Sequence, residues 1–142
     1  MQKLRQSGTL IGFVLIIAFF SFQLPDTFLT ARNLLNISQQ LSMLAVVAAT
    51  MTIVMVMNDF DLSVGSMASL SGIVAASLFV NEYSIWAGIG AALLVGLVGG
   101  LFNGILVSVI GILPFVATLG TLTVFSGAAF LLSDGKTIFG RD

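Results

Sequence analysis

The chain alternates long apolar runs with short polar breaks. Residues 8–24, 41–57, 62–80, 85–110 and 113–132 contain no Asp, Glu, Lys or Arg. A helix rises 1.5 Å per residue, so about 20 apolar residues cross the roughly 30 Å hydrocarbon layer, and fewer suffice when flanking side chains snorkel. Each run is therefore predicted to be a transmembrane helix. The breaks carry turn chemistry: Pro25-Asp26 after the first run, Asn81-Glu82 between the third and fourth, Gly111 and Pro114 before the fifth, and Ser133-Asp134-Gly135 after it. Such short linkers make consecutive helices packed neighbours. The predicted fold is all-α, a polytopic membrane helix bundle of about five transmembrane helices. Residues 27–40 differ, because Asn33, Asn36, Gln39 and Gln40 interleave with Leu34, Leu35 and Ile37. This stretch is expected to be amphipathic and interfacial, not part of a span.

Composition identifies the solvent. The chain is 58% hydrophobic and 8% charged, whereas a soluble domain needs roughly 25% charged residues to face water. The mean hydropathy of +1.14 fits a lipid bilayer. With no Cys and no His, disulfides, thiolate nucleophiles, imidazole bases and most zinc or haem ligation are excluded. A net charge of −1 provides no basic patch, so nucleic acid is not an expected partner. No metal or cofactor is expected either. Lys3 and Arg5 before an apolar run imitate a signal peptide, but Ser-Phe-Gln-Leu-Pro follows where a small-x-small cleavage site belongs. The run reads as a retained first helix. Lys3 and Arg5 also place the N-terminus in the cytoplasm by the positive-inside rule, and five crossings then put residues 134–142 outside, where Lys136 and Arg141 oppose the rule.

Two stripes of small residues predict helix packing. In the fourth run Ala92, Gly96, Gly100, Gly104 and Ser108 recur every four residues; in the third, Gly65, Ser69, Gly72 and Ala76 form a shorter stripe. In lipid, helices attract largely through close backbone approach, which small residues permit. Contacts within the chain are the simpler expectation, and a dimer face the other.

Candidate chemistry concentrates at Asn58-Asp59-Phe60-Asp61, the one strongly acidic cluster among the runs. Asp61 stands just before a helix, where its carboxylate can accept a backbone N–H near Val64 and meet the positive end of the helix dipole. Alternatively the helix breaks inside the membrane, and Asp61 and Ser63 line a polar cavity, the setting in which irregular backbone is tolerated. A carboxylate relay would need a second buried charge, and none is present. In the fifth run Pro114, Thr118, Thr121 and Phe125 share one side, while Gly120, Thr123 and Gly127 fall on another. The hydroxyls either bond the preceding turn or a neighbouring helix, or Thr118 and Thr121 line a solute path. Asn103 is open to the same two readings. Two resemblances to binding motifs fail. Gly135-Lys136-Thr137 ends like a P-loop, but position 130, where that motif needs Gly, is Phe. Met51 and Met55 form a thioether pair but lack clustered ligands, so packing explains them better. Tyr83 and Trp86 sit at a span boundary, as interfacial aromatics do.

Four segments in order then resemble one family. Asp59-Phe60-Asp61-Leu62-Ser63-Val64-Gly65-Ser66 resembles the GIDLSVGS signature of sugar ABC permeases of the ribose, arabinose and xylose group. Gly100-Leu101-Phe102-Asn103-Gly104-Ile105-Leu106-Val107 is similar to the family's GLxNGxLV, residues 113–121 to its xPxFxxTLGT, and residues 33–40 to its NLxNIxxQ. Asn58 and Asp59 depart from the pattern, since family members commonly carry two glycines there. The resemblance implies the N-terminal half of a permease domain, residues 1–142, in the bacterial inner membrane. It implies a non-enzymatic subunit forming part of the path for a sugar such as a pentose. Its partners would be an ABC ATPase subunit that hydrolyses ATP, a periplasmic sugar-binding protein, and a second permease copy or related permease. The family's ATPase-coupling segment is expected beyond Asp142. The competing expectations are a permease for branched-chain amino acids or a signal molecule, a self-contained channel or secondary carrier using Asp61, and a structural membrane protein. The orientation is tested with a reporter active only in the periplasm: fused after Asp142 it should be active, and at Gly111 silent, the reverse pattern refuting the topology.

Overall fold

A computed structural model describes residues 2–139, and side chains from residue 8 onward. Lys3, Arg5 and Arg141, the basic residues used for orientation, lie outside the described side chains. All regular structure among the described residues is helical: α1 (Gln2–Gln23), α2 (Pro25–Phe28), α3 (Ala31–Val56), α4 (Val64–Val80), α5 (Ile85–Ser108) and α6 (Pro114–Ser133). Every predicted span is a helix. Three of them, α3, α5 and α6, are long and apolar enough to cross a membrane; Gly8–Gln23 within α1 and Val64–Val80 are shorter apolar helices. The chain is a multi-pass membrane protein.

The expectation of an interfacial stretch apart from the second span is corrected. From Ala31 the helix runs unbroken through Asn36, Gln39 and Gln40 to Val56. No Gly or Pro interrupts it, and two of its hydroxyls bond within the helix: Ser38 Oγ donates to Leu34 O at 2.8 Å and Ser42 Oγ to Gln39 O at 2.7 Å. Hydroxyls that return to the preceding turn need no partner outside it. Thr30 begins the helix by accepting the Asn33 N–H at 3.3 Å, and Asn33 Nδ2 donates to Phe28 O at 2.8 Å.

The chain divides into two compact units, Met1–Ala48 and Ala49–Asp142. In the first, Phe20 stacks on Phe28 across the Pro25 break, with ring centroids 5.7 Å apart. In the second, α4 packs on both α5 and α6. Leu70 of α4 with Phe125 and Ala129 of α6 forms the buried core, flanked by Met67, Ile73, Val74 and Val95. The two sides of α6 divide as the sequence predicts: Thr118, Thr121 and Phe125 are buried, while Gly120, Thr123 and Gly127 are exposed.

The helix ends explain the polar breaks. After α3 the Asp59 N–H bonds Val54 O and the Asn58 N–H bonds Met55 O, with Asn58 at φ 60°. This left-handed closure satisfies carbonyls that the helix would otherwise leave orphaned. Glu82 (φ 63°) and Asp134 (φ 53°) close α4 and α6 through the same pair of bonds. Asn58 stands where the resembled family has glycine, and asparagine is among the non-glycine residues that best tolerate this conformation.

Among the described residues, the closest helix contacts lie off the predicted stripes. A Cβ added at Gly65, Gly72, Gly96, Gly100 or Gly104 would meet nothing within 4 Å, and Ser69 is exposed. At Gly88 it would fall 2.2 Å from the Phe79 ring, and at Gly99 1.8 Å from Met67 Cε and 3.3 Å from Phe125 Cζ. The tight face of α5 is therefore the one carrying Gly88, Gly99 and the buried Asn103. A period of four marks where small residues recur, and their use depends on whether a neighbouring helix closes on them. The two faces predict opposite outcomes. Gly99→Leu should lower the yield of folded protein on a detergent gel, because the end of Met67 and the Phe125 ring must move to admit it. Gly100→Leu should leave folded yield near that of the unsubstituted protein, and equal losses for both variants would refute the assignment of faces.

Candidate functional site

The segment between α3 and α4 leaves the helical path among apolar helices, and three elements hold it there. Asp61 Oδ1 accepts from the Ser63 backbone N–H at 2.7 Å and from Ser63 Oγ at 2.6 Å. A carboxylate bonding the backbone two residues on is an Asx turn, and this one sits beside the positive end of the α4 dipole. Ser63 Oγ in turn receives Asn103 Nδ2 from α5 at 2.7 Å. From α6, Thr118 Oγ1 donates to Pro114 O at 2.8 Å with Phe60 O also in reach at 3.3 Å. Ser66 Oγ donates to Ser63 O at 2.8 Å. Ser63 is the most deeply buried of these residues, at 1% exposure.

The two sequence readings of Asp61 describe parts of one arrangement. Asp61 does accept a backbone N–H at the start of α4, but that of Ser63, one residue before the expected Val64. It also lines cavities. One, of about 440 Å³, is bordered by Thr50, Ile53 and Val54 of α3, by Asp61, Ser63 and Met67, and by Gly96, Gly100 and Asn103 of α5. A second, of about 220 Å³, runs along Asp59, Phe60, Asp61, Asn103, Gly104, Ser108 and Thr118. Val54, Asp61, Gly100 and Asn103 border both. The Gly96–Gly100–Gly104 stripe supplies this space: without side chains, that face of α5 leaves room instead of contact.

The structure brings four of the five candidate path residues together, Asp61, Ser63, Asn103 and Thr118. Thr121 is separate. It is buried, its hydroxyl bonds Thr118 O at 3.3 Å, and it borders neither cavity. Gly96 and Gly100, expected as packing residues, are cavity walls. Their spacing gave no sign of that role, because Gly every fourth position looks the same whether a neighbour fills the groove or stands off from it. Val54 and Ile53 carried no chemical signal at all.

The Asx turn makes a stability prediction. Asp61→Ala removes both bonds to Ser63 and leaves a buried N–H and hydroxyl short of an acceptor, a loss on the order of 2 kcal/mol. Asp61→Asn keeps an acceptor oxygen in place. Thermal melting in detergent should show a clear fall in Tm for Ala and little change for Asn; equal falls would refute the turn as the stabilising element.

Known proteins place this arrangement in a family. Residues 33–140 match the model of the family described as branched-chain amino acid transport system / permease component. The L-arabinose ABC transporter permease protein of Azospirillum brasilense is 34% identical over 96% of this chain and 40% of its own length. The ribose import permease protein of Haemophilus influenzae is 36% identical over 95% of this chain and 42% of its own. The autoinducer 2 import system permease protein of Escherichia coli is 34% identical over 98% of this chain and 40% of its own. The chain thus spans about two fifths of the length of the curated relatives it matches. No solved structure matches it significantly. From its helices, its motifs and these matches, the chain belongs to the family of branched-chain amino acid transport system permease components.

Proposed function

We propose that the chain is the N-terminal half of the membrane-spanning permease subunit of an ATP-driven, binding-protein-dependent importer, and forms part of the translocation path for a sugar such as a pentose. The observation that carries this reading is the alignment of nearly the whole chain with import permeases named for arabinose and ribose. The relatives are transport subunits rather than enzymes. ATP hydrolysis then belongs to a separate ATPase subunit, and selection of the sugar chiefly to a periplasmic binding protein. A second copy or a related permease completes the path in the bacterial inner membrane.

The cavity geometry supports the placement of the path. Charged and hydroxylated side chains are costly against lipid and gather where they face one another or a water-filled space. Asp61, Ser63, Asn103 and Thr118 do so, with Thr50, Ser71, Asp59 and Ser108 also on the walls and the rest of the lining apolar. A passing solute is served by a few polar contacts, because tight binding along the way would slow its release.

Accessibility tests the path directly, since this segment contains no cysteine. In the full-length permease, with any other cysteines replaced, Gly100→Cys should react with a charged, water-borne thiol reagent, and transported sugar should slow the reaction. Val98→Cys, which borders an apolar groove instead, should react slowly and without protection. Inert Cys at position 100, or equal labelling at both positions, would place the path elsewhere.

A further inference from the structure

The hydrogen-bond chain fixes which atoms of the cavity wall remain unused. In the 2.6 Å contact between Ser63 Oγ and Asp61 Oδ1 the serine hydroxyl donates and the carboxylate oxygen accepts. Ser63 has a single hydroxyl proton. With that proton committed, it can only accept in its 2.7 Å contact with Asn103. The Asn103 amide is thereby oriented: Nδ2 faces Ser63 and Oδ1 faces away from it. Oδ1 is buried and has no hydrogen-bond partner among the described residues; Asn103 is 8% exposed and borders both cavities. Nothing among the described residues donates to the second carboxylate oxygen, Asp61 Oδ2, which is not among the buried unpaired atoms. Two acceptors are therefore spare at the wall common to both cavities.

Building on the proposed transport path, we propose that Asp61 Oδ2 and Asn103 Oδ1 form an acceptor pair that binds hydroxyl groups of a neutral polyhydroxy solute. The carboxylate oxygen is the accessible member. The amide oxygen is shielded in this state and gains its donor as the solute enters between the cavities. An anion is disfavoured by the carboxylate, and an apolar solute leaves both acceptors unpaired. Asp61 also has a positioning role, since through Ser63 it sets which end of the Asn103 amide is free.

The decisive variant is Asp61→Asn, which keeps an acceptor toward Ser63 but turns the cavity-facing oxygen into an amide donor. The full-length permease is reconstituted in vesicles with its ATPase and binding protein. D-Ribose, L-arabinose and D-allose are offered, and whichever is taken up is compared with its monodeoxy analogues. The binding protein is the same in every arm, so its own preference cancels in the ratio of variant to unsubstituted permease. We expect Asp61→Asn to fold in normal amount, to raise KM for the sugar about tenfold, and to lose most of the discrimination against at least one deoxy analogue, the scale of one to two hydrogen bonds to a charged acceptor. Asn103→Leu should lower the same discrimination. Unchanged ratios for every analogue in Asp61→Asn overturn the acceptor pair while leaving the path in place. So does an equal loss for sugar and analogues alike, which is the signature of a purely structural Asp61. Uptake that requires sodium or ammonium in the unsubstituted permease, and loses that requirement in Asp61→Asn, overturns it in favour of a cation site. Uptake of none of the sugars by the unsubstituted permease overturns the path reading, and the pair with it.

Discussion

Backbone polarity is the constraint on which this structure turns. Water satisfies an interrupted helix at a protein surface, but among apolar helices every freed N–H and C=O must find a partner within the protein. Between Val56 and Val64 the chain meets that requirement twice. The carbonyls at the end of α3 are taken by the left-handed turn at Asn58, and the start of α4 is taken by the Asp61 carboxylate. Because Asp61 also holds the Ser63 hydroxyl, the repair does not stop at the break. It passes to Asn103 on α5, while Thr118 on α6 reaches the carbonyl of Phe60. The need to satisfy one interruption thus ties three helices together and assembles the polar residues of the candidate site.

The same logic accounts for what could be read in the sequence. Runs without charge locate helices because lipid tolerates little else, and the buried side of α6 follows from the spacing of Thr118, Thr121 and Phe125. The acidic break before α4 was visible because a carboxylate among apolar runs demands an explanation. What spacing cannot encode is distance to a neighbour. Gly96 and Gly99 are both glycines of α5, yet one borders a cavity and the other lies under Met67. The polar residues of 27–40 misled for a related reason: Asn36, Gln39 and Gln40 lie within the continuous helix α3, so polarity alone does not end a span.

Asn58 shows how a motif is kept when its letters change. Sequence resemblance treats the loss of glycine before Asp-Leu-Ser as a departure. The backbone requires only a residue that accepts positive φ, and Asn58, Glu82 and Asp134 all meet that requirement at comparable helix ends. At position 58 of this chain that residue is asparagine.

The glycine stripe of α5 and the hydrogen-bond chain are complementary. In a membrane, omitting side chains from one helix face either lets another backbone approach or leaves space, and only the former stabilises through contact. Here the open face adjoins the side of α5 that presents the buried Asn103 beside Asp61. Space without polar groups would fill with lipid or collapse, and polar groups without space would be sealed into the core, as Thr121 is. A path for a hydrated solute needs both at one place. In this chain space and polar groups meet because Asn103 falls three residues after Gly100 and one before Gly104, at the edge of the groove that the glycines leave open.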